Sequence, residues 1–73
     1  MKDLVVYGRT NPPCSSCDNL KLLLETKGVE YTYKDISEPI NFDEFCSHRL
    51  RGVPAVFSEG EFIGGFDKVK DII

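Results

Sequence analysis

The chain has 73 residues, 41% hydrophobic and 29% charged, with a formal net charge of −3. That length is near the lower end of what folds on one hydrophobic core, so the sequence predicts one domain over 1–73 with room for a single site. The acidic balance and scattered basic residues exclude nucleic acid as the main partner, because such binding rests on a concentrated Lys/Arg stripe.

The opening stretch MKDLVVYGRT contains four consecutive apolar residues. They are too few for a signal peptide or a membrane span, so the expectation is a cytoplasmic protein with no membrane partner. Leu4–Tyr7 reads as a strand buried on both faces. Gly8–Pro13 reads as a loop, in which Pro12 and Pro13 favour an extended entry into the next element. From Ser15 the spacing becomes helical: Cys17, Leu20, Leu23 and Leu24 fall on one stripe, and Gly28 stops the helix. Glu30–Ile36 alternates Tyr31 and Tyr33 with Thr32 and Lys34, a strand with one buried face. Strand, helix and strand in this order predict a right-handed βαβ unit with parallel strands.

Asn41 with Glu44 three residues on suggests a capping box, followed by a short helix with Phe42, Phe45, Cys46 and Leu50 on one face, ending near Gly52. Val53–Phe57 reads as a buried strand containing Pro54. Gly60 supplies a turn, and Phe62–Ile63 returns as an antiparallel partner. After Gly64–Gly65, the spacing of Phe66, Val69, Ile72 and Ile73 predicts a closing helix. The fold expected is α/β: a four-stranded mixed sheet, βαβ then ββα, flanked by three helices. That order places Cys14 and Cys17 at the carboxyl end of the first strand, where open α/β sheets put their ligands.

Cysteines number three, an odd count that does not suit a secreted disulfide framework. In a reducing compartment, a CxxC pair points to redox chemistry or to metal. Helical neighbours three apart have Cβ atoms about 5–6 Å apart, so little adjustment closes a disulfide. The unpaired N–H groups of a first helical turn favour thiolate and bring a cysteine pKa from about 8.5 into the range of about 3.5–7.5. Cys14, nearest that end, is expected to be the exposed thiol, and Cys17, on the leucine stripe, the less accessible one. The hydroxyls of Ser15 and Ser16 either bond the thiolate or cap the helix. For the metal reading, Cys14, Cys17, Cys46 and His48 are the right ligand types for zinc. Cys46 and His48, however, point roughly 200° apart on a helix. The simpler reading makes Cys46 a buried inert thiol and His48 a solvated residue.

The segments LVVYGRTNPPCSSCDNLKLLLETKGVEY, RGVPAVF and IGGFD occur in the order and spacing of the glutaredoxin family of the thioredoxin superfamily, which the chain resembles over nearly its whole length. The wording of CDNLKLLL and IGGFD is similar to phage-encoded glutaredoxins. The resemblance implies a thioredoxin-like fold and a glutathione-dependent dithiol–disulfide oxidoreductase, with Cys14 as nucleophile and Cys17 as resolving thiol. Pro54 would be a cis-proline facing the dithiol, and Val53 would offer backbone N–H and C=O to glutathione. Gly64 and Gly65 would admit the ligand, while the Phe66 N–H and the Asp67 carboxylate would hold its γ-glutamyl end. Asp67 is also a favourable charge at a helix start. Arg9, Arg49 and Arg51 are candidates for the glycyl carboxylate, with Arg9 and Arg51 foremost.

The resemblance further implies glutathione as reductant, no tightly bound cofactor, a monomer, and protein disulfides as substrates, ribonucleotide reductase among them. Where the family often has proline and tyrosine between the cysteines, this chain has Ser15 and Ser16, which leaves glutathione specificity open. Two rival readings remain: reduction by thioredoxin reductase, and a metal or iron–sulfur module built on Cys14 and Cys17.

Overall fold

The computed structural model describes residues 3–50 and 52–73. The elements run β1 (Leu4–Gly8), α1 (Ser15–Thr26), β2 (Tyr31–Asp35), α2 (Pro39–Ser47), β3 (Ala55–Ser58), β4 (Glu61–Gly64) and α3 (Phe66–Ile72). The sheet order is β2-β1-β3-β4, with β1 and β2 parallel and the other two pairings antiparallel. The expected mixed sheet with three helices is what forms.

β1 lies inside the sheet, which explains its continuous apolar run. Leu4 and Val6 face one side, where they join Val56 of β3, Leu20 and Leu24 of α1 and Val69 of α3. Tyr7 faces the other side, packing with Ala55, Phe57 and Phe45 of α2. α1 ends in a reciprocal C-terminal lock: the Gly28 N–H reaches the Glu25 carbonyl at 3.1 Å, and the Val29 N–H reaches that of Leu24 at 2.9 Å. Gly28 adopts the positive φ this closure requires, +69°. Glu59 and Gly60, both at positive φ, make the tight turn between β3 and β4.

The second helix departs from the sequence expectation. It begins at Pro39, with Glu38 as N-cap, rather than at an Asn41 cap. Proline suits a first helical position because the N–H it lacks has no partner there. Asn41 lies inside the helix, its amide donating to the Asp35 carbonyl (3.0 Å) and the Glu38 carboxylate (3.1 Å). That attachment rotates the helix so that Phe45 is buried, Phe42 is 48% exposed and Cys46 is exposed. Leu50 follows the helix, half-buried against the Phe45 cluster. In so short a helix the spacing of apolar residues is compatible with more than one rotation, and polar ties choose between them.

Glu44 supplies another of those ties, accepting from the Tyr7 hydroxyl at 3.0 Å and from Lys34 Nζ at 2.6 Å. The Lys34 hydrogen bond, and after it that of Tyr7, holds the Glu44 carboxyl below its ordinary value. The helix ends at Ser47, not near Gly52, with His48 as C-cap and Arg49 at positive φ. His48 is not simply solvated: its ring lies 4.6 Å from that of Phe57 and 5.9 Å from that of Tyr7.

Gly8 closes β1 beneath Tyr33 of β2, whose ring and hydroxyl fill the space a side chain at Gly8 would need. Gly8→Ala is therefore expected to displace Tyr33 and cost about 1–3 kcal/mol, the usual range for overpacking. Urea denaturation measures this, and an unchanged midpoint would contradict the packing described.

Candidate active site

Sheet polarity gathers the residues singled out from the sequence. β1 runs parallel to β2 and antiparallel to β3, and β4 returns beside β3. The end of β1, the loop to Cys14, the Pro54 entry to β3 and the Gly64–Gly65 exit from β4 therefore share one end of the sheet. The Asp35–Ser37 turn joins them there.

Cys14 is the N-cap of α1, with extended backbone angles, and its sulfur accepts from the Cys17 N–H at 3.2 Å. The two cysteines are joined as a disulfide, with Cα atoms 5.2 Å apart. Cys14 is 7% exposed and Cys17 fully buried. The order of accessibility is as expected, but Cys14 is not an exposed thiol: its sulfur is turned inward onto Cys17 and the first-turn amide. Ser15 and Ser16 do not cap the helix, because the cap lies one residue earlier; both are exposed first-turn positions. Among the described residues, no group of three or more His, Cys, Asp and Glu side chains is placed to hold a metal ion. Cys46 and His48 belong to the α2 side of the sheet, away from the Cys14–Cys17 pair.

The loop before Cys14 is held by residues that the sequence analysis did not single out. The Asp35 carboxylate accepts from the Thr10 N–H (3.2 Å) and the Ser37 N–H (2.9 Å). Ser37 Oγ accepts from the Asn11 N–H and donates to the Asn11 carbonyl, at 3.2 and 3.1 Å. Hydrogen bonding from Thr10, then from Ser37, holds the Asp35 carboxyl below its ordinary value. Asp35-x-Ser37 at a strand end is a legible turn signal. Its partners 25 and 26 positions away are not.

Arg9 lies in this loop, its Nε donating to the Pro12 carbonyl at 2.9 Å. Pro54 is buried, and the Val53–Pro54 and Asn11–Pro12 peptides are both cis. Val53 is half-buried against the Tyr7 and Phe45 cluster. Gly65 approaches Pro54 so closely that a Cβ there would stand 3.2 Å from the Pro54 carbonyl oxygen. Gly65 is also the N-cap of α3, followed by half-buried Phe66 and exposed Asp67. Arg49 is exposed beyond the end of α2. Arg51 lies outside the described residues.

A mixed sheet of this order, with CxxC at the first helix start and a proline leading into β3, defines a thioredoxin-like fold. The family model for glutaredoxin matches residues 4–63. The chain belongs to the glutaredoxin family. Among solved structures it is similar to the buckwheat glutaredoxin–glutathione complex, with 30% identity, a TM-score of 0.76, and coverage of 93% of this chain and 64% of that one. Against the holo form of glutaredoxin C1 from Populus tremula x tremuloides, identity is 31% and the TM-score 0.76, covering 96% and 72%. Against glutaredoxin from Brucella melitensis, identity is 30% and the TM-score 0.74, covering 99% and 78%. The chain thus spans less than two thirds of the buckwheat chain. Curated protein sequences give no match.

The Asp35 contacts set a pH dependence. A carboxyl held below its ordinary value of 3.8 contributes stability that is present above that value and lost as pH falls through the lower, folded value. Asp35→Asn is therefore expected to lower the melting temperature at neutral pH, with the difference from the parent shrinking as pH falls below about 4. A difference that stays constant down to pH 2 would contradict the assignment.

Proposed function

We propose that the chain is a glutathione-dependent dithiol–disulfide oxidoreductase acting in the cytoplasm. The observation that carries this reading is the Cys14–Cys17 disulfide at the start of α1, with Cys14 in the cap position. Family membership supports it, and the buckwheat relative was solved as a glutathione complex.

In the reaction proposed, the Cys14 thiolate attacks a glutathione mixed disulfide. A Cys14–glutathione disulfide forms, and the protein substrate leaves as thiolate. A second glutathione thiolate attacks the bound glutathione sulfur, releasing oxidised glutathione and regenerating Cys14. With a protein disulfide as substrate, Cys14 forms a mixed disulfide with the protein. Cys17 then attacks the Cys14 sulfur, expelling the reduced protein and closing the internal disulfide. Two glutathione molecules reopen it, supplying two electrons and two protons. Among protein substrates, the resemblance in the sequence points to ribonucleotide reductase.

Glutathione is assigned to the end of the sheet where the Cys14 loop, Pro54 and Gly65 meet. Val53 offers its backbone to the extended peptide, and the N–H of Phe66 and the Asp67 carboxylate meet the γ-glutamyl end. Arg9 and Arg51 are the candidates for the glycyl carboxylate. Arg9 already spends its Nε on Pro12, which leaves its terminal guanidinium nitrogens for a ligand.

A glutathione-coupled hydroxyethyl disulfide assay tests the reading. Cys14→Ser is expected to abolish turnover, whereas Cys17→Ser keeps activity on glutathione mixed disulfides and loses reduction of protein disulfides. Full activity of Cys14→Ser would overturn the mechanism. Asp67→Asn is expected to raise KM for glutathionylated substrate by about three- to tenfold with kcat little changed, the signature of lost uniform binding. Turnover supported by thioredoxin reductase and not by glutathione would transfer the reductant role.

A further inference from the structure

Tyr33 is a titratable group packed on the α1 side of the sheet that the exchange proposed above leaves unused. Its hydroxyl oxygen is buried and, among the described residues, has no hydrogen-bond partner. The oxygen stands where a side chain at Gly8 would stand, at the last residue of β1, from which the chain enters the Cys14 loop. The ring lies under α1, with Lys21 Nζ 4.5 Å from its centroid. Lys21 is one helical turn beyond Cys17. Cys17, Leu20 and Leu24 are the buried residues of α1, and Cys17 is the one at the end nearer Gly8. The Tyr33 oxygen and Cys17 therefore lie toward the same end of the layer between α1 and the sheet, with no hydrogen bond between them while the disulfide is closed.

We propose that when the Cys14–Cys17 bond opens, the Tyr33 hydroxyl donates a hydrogen bond to the Cys17 sulfur and stabilises its thiolate. The idea rests on the dithiol exchange reading. A disulfide sulfur is a weak acceptor, whereas the sulfur that leaves with the bonding electron pair is an anion and a strong one. The hydroxyl thus has an acceptor in the reduced state that the oxidised state lacks, which favours the dithiol. Burial first, then the charges of Asp35 and Asp18, raises the Tyr33 pKa, so the group remains a donor at neutral pH. Around it, α1 contributes Asp18 and Lys21 and β2 contributes Asp35. From β1 and α3 this layer receives the apolar Leu4, Val6, Phe66 and Val69.

Tyr33→Phe keeps the ring and removes the donor. Equilibrated against dithiothreitol, the variant is expected to favour the disulfide about tenfold more than the parent, which corresponds to about 30 mV. In the reduced protein, titration of the Cys17 13Cβ shift is expected to give a pKa about one unit higher in the variant. An unchanged equilibrium or an unchanged Cys17 titration overturns the proposal. Independently of any variant, the Tyr33 13Cζ resonance of the parent is expected to move between oxidised and reduced protein and to follow the Cys17 titration; a resonance indifferent to both overturns it too. Dithiothreitol replaces glutathione throughout, so failure of the glutathione assignment leaves this outcome readable.

Discussion

A backbone amide of the first turn of α1 points at the sulfur of Cys14, and the placement of both cysteines follows from that contact. The orphan donors of a helix start need an acceptor, usually an oxygen of Ser, Thr, Asp or Asn. Here sulfur takes that place, which commits the helix to begin at Ser15 and sets Cys17 three residues in. Cys17 then shares a helical face with Leu20 and Leu24, the two leucines that anchor α1 to Leu4, Val6 and Val56. Packing of the leucine stripe thus orients the dithiol: one sulfur sits at the rim of the helix start and the other faces the core.

The other side of the site comes from sheet polarity. Strands β3 and β4 bring Pro54 and Gly65 to the end of the sheet that holds the Cys14 loop, and the parallel pairing of β1 with β2 adds Asp35 and Ser37. These two hold Thr10 and Asn11 by their backbone groups, so the loop is fixed whatever side chains it carries. Across the sheet, α2 is held by Phe45, buried against Tyr7, Ala55 and Phe57, and by Glu44, which joins Lys34 and Tyr7 on two different strands. The Lys34–Glu44 pair is partly exposed, so its contribution is screened by solvent and acts mainly on where the helix sits.

Legibility followed the length of the pattern. α1 carries a twelve-residue stripe with an unambiguous glycine stop, and β1 a continuous apolar run, so both could be read from residues alone. α2 has nine residues and one buried side chain, Phe45, and Asn41–Glu44 imitates a capping box where the start is really Glu38–Pro39. From spacing the apolar Phe42 and Cys46 are expected inward, but the hydrogen bonds of Asn41 to Asp35 and Glu38, and of Glu44 to Lys34 and Tyr7, turn the helix otherwise. The positions that the resemblance singles out, Cys14, Cys17, Pro54 and Gly65, come to one end of the sheet. Asp35-x-Ser37 reads as a turn, but its hold on Thr10 and Asn11, 25 and 26 positions away, was not legible, nor was the packing of Tyr33 against Gly8, because these contacts are tertiary.

The replacement of proline and tyrosine by Ser15 and Ser16 takes on a narrower meaning in this geometry. Both serines are exposed first-turn positions of α1, one and two residues past the cap. What holds Cys14 is a backbone amide, and what surrounds Cys17 is the α1–sheet layer with Tyr33 at its end. Ser15 and Ser16 therefore bear on what approaches the disulfide from outside. An orphaned hydroxyl in that layer costs about 1–3 kcal/mol, comparable to the difference that separates one redox poise from another, since about 1.4 kcal/mol corresponds to 30 mV. On the proposal made above, the group that tunes Cys17 is Tyr33 of β2, outside the CxxC motif.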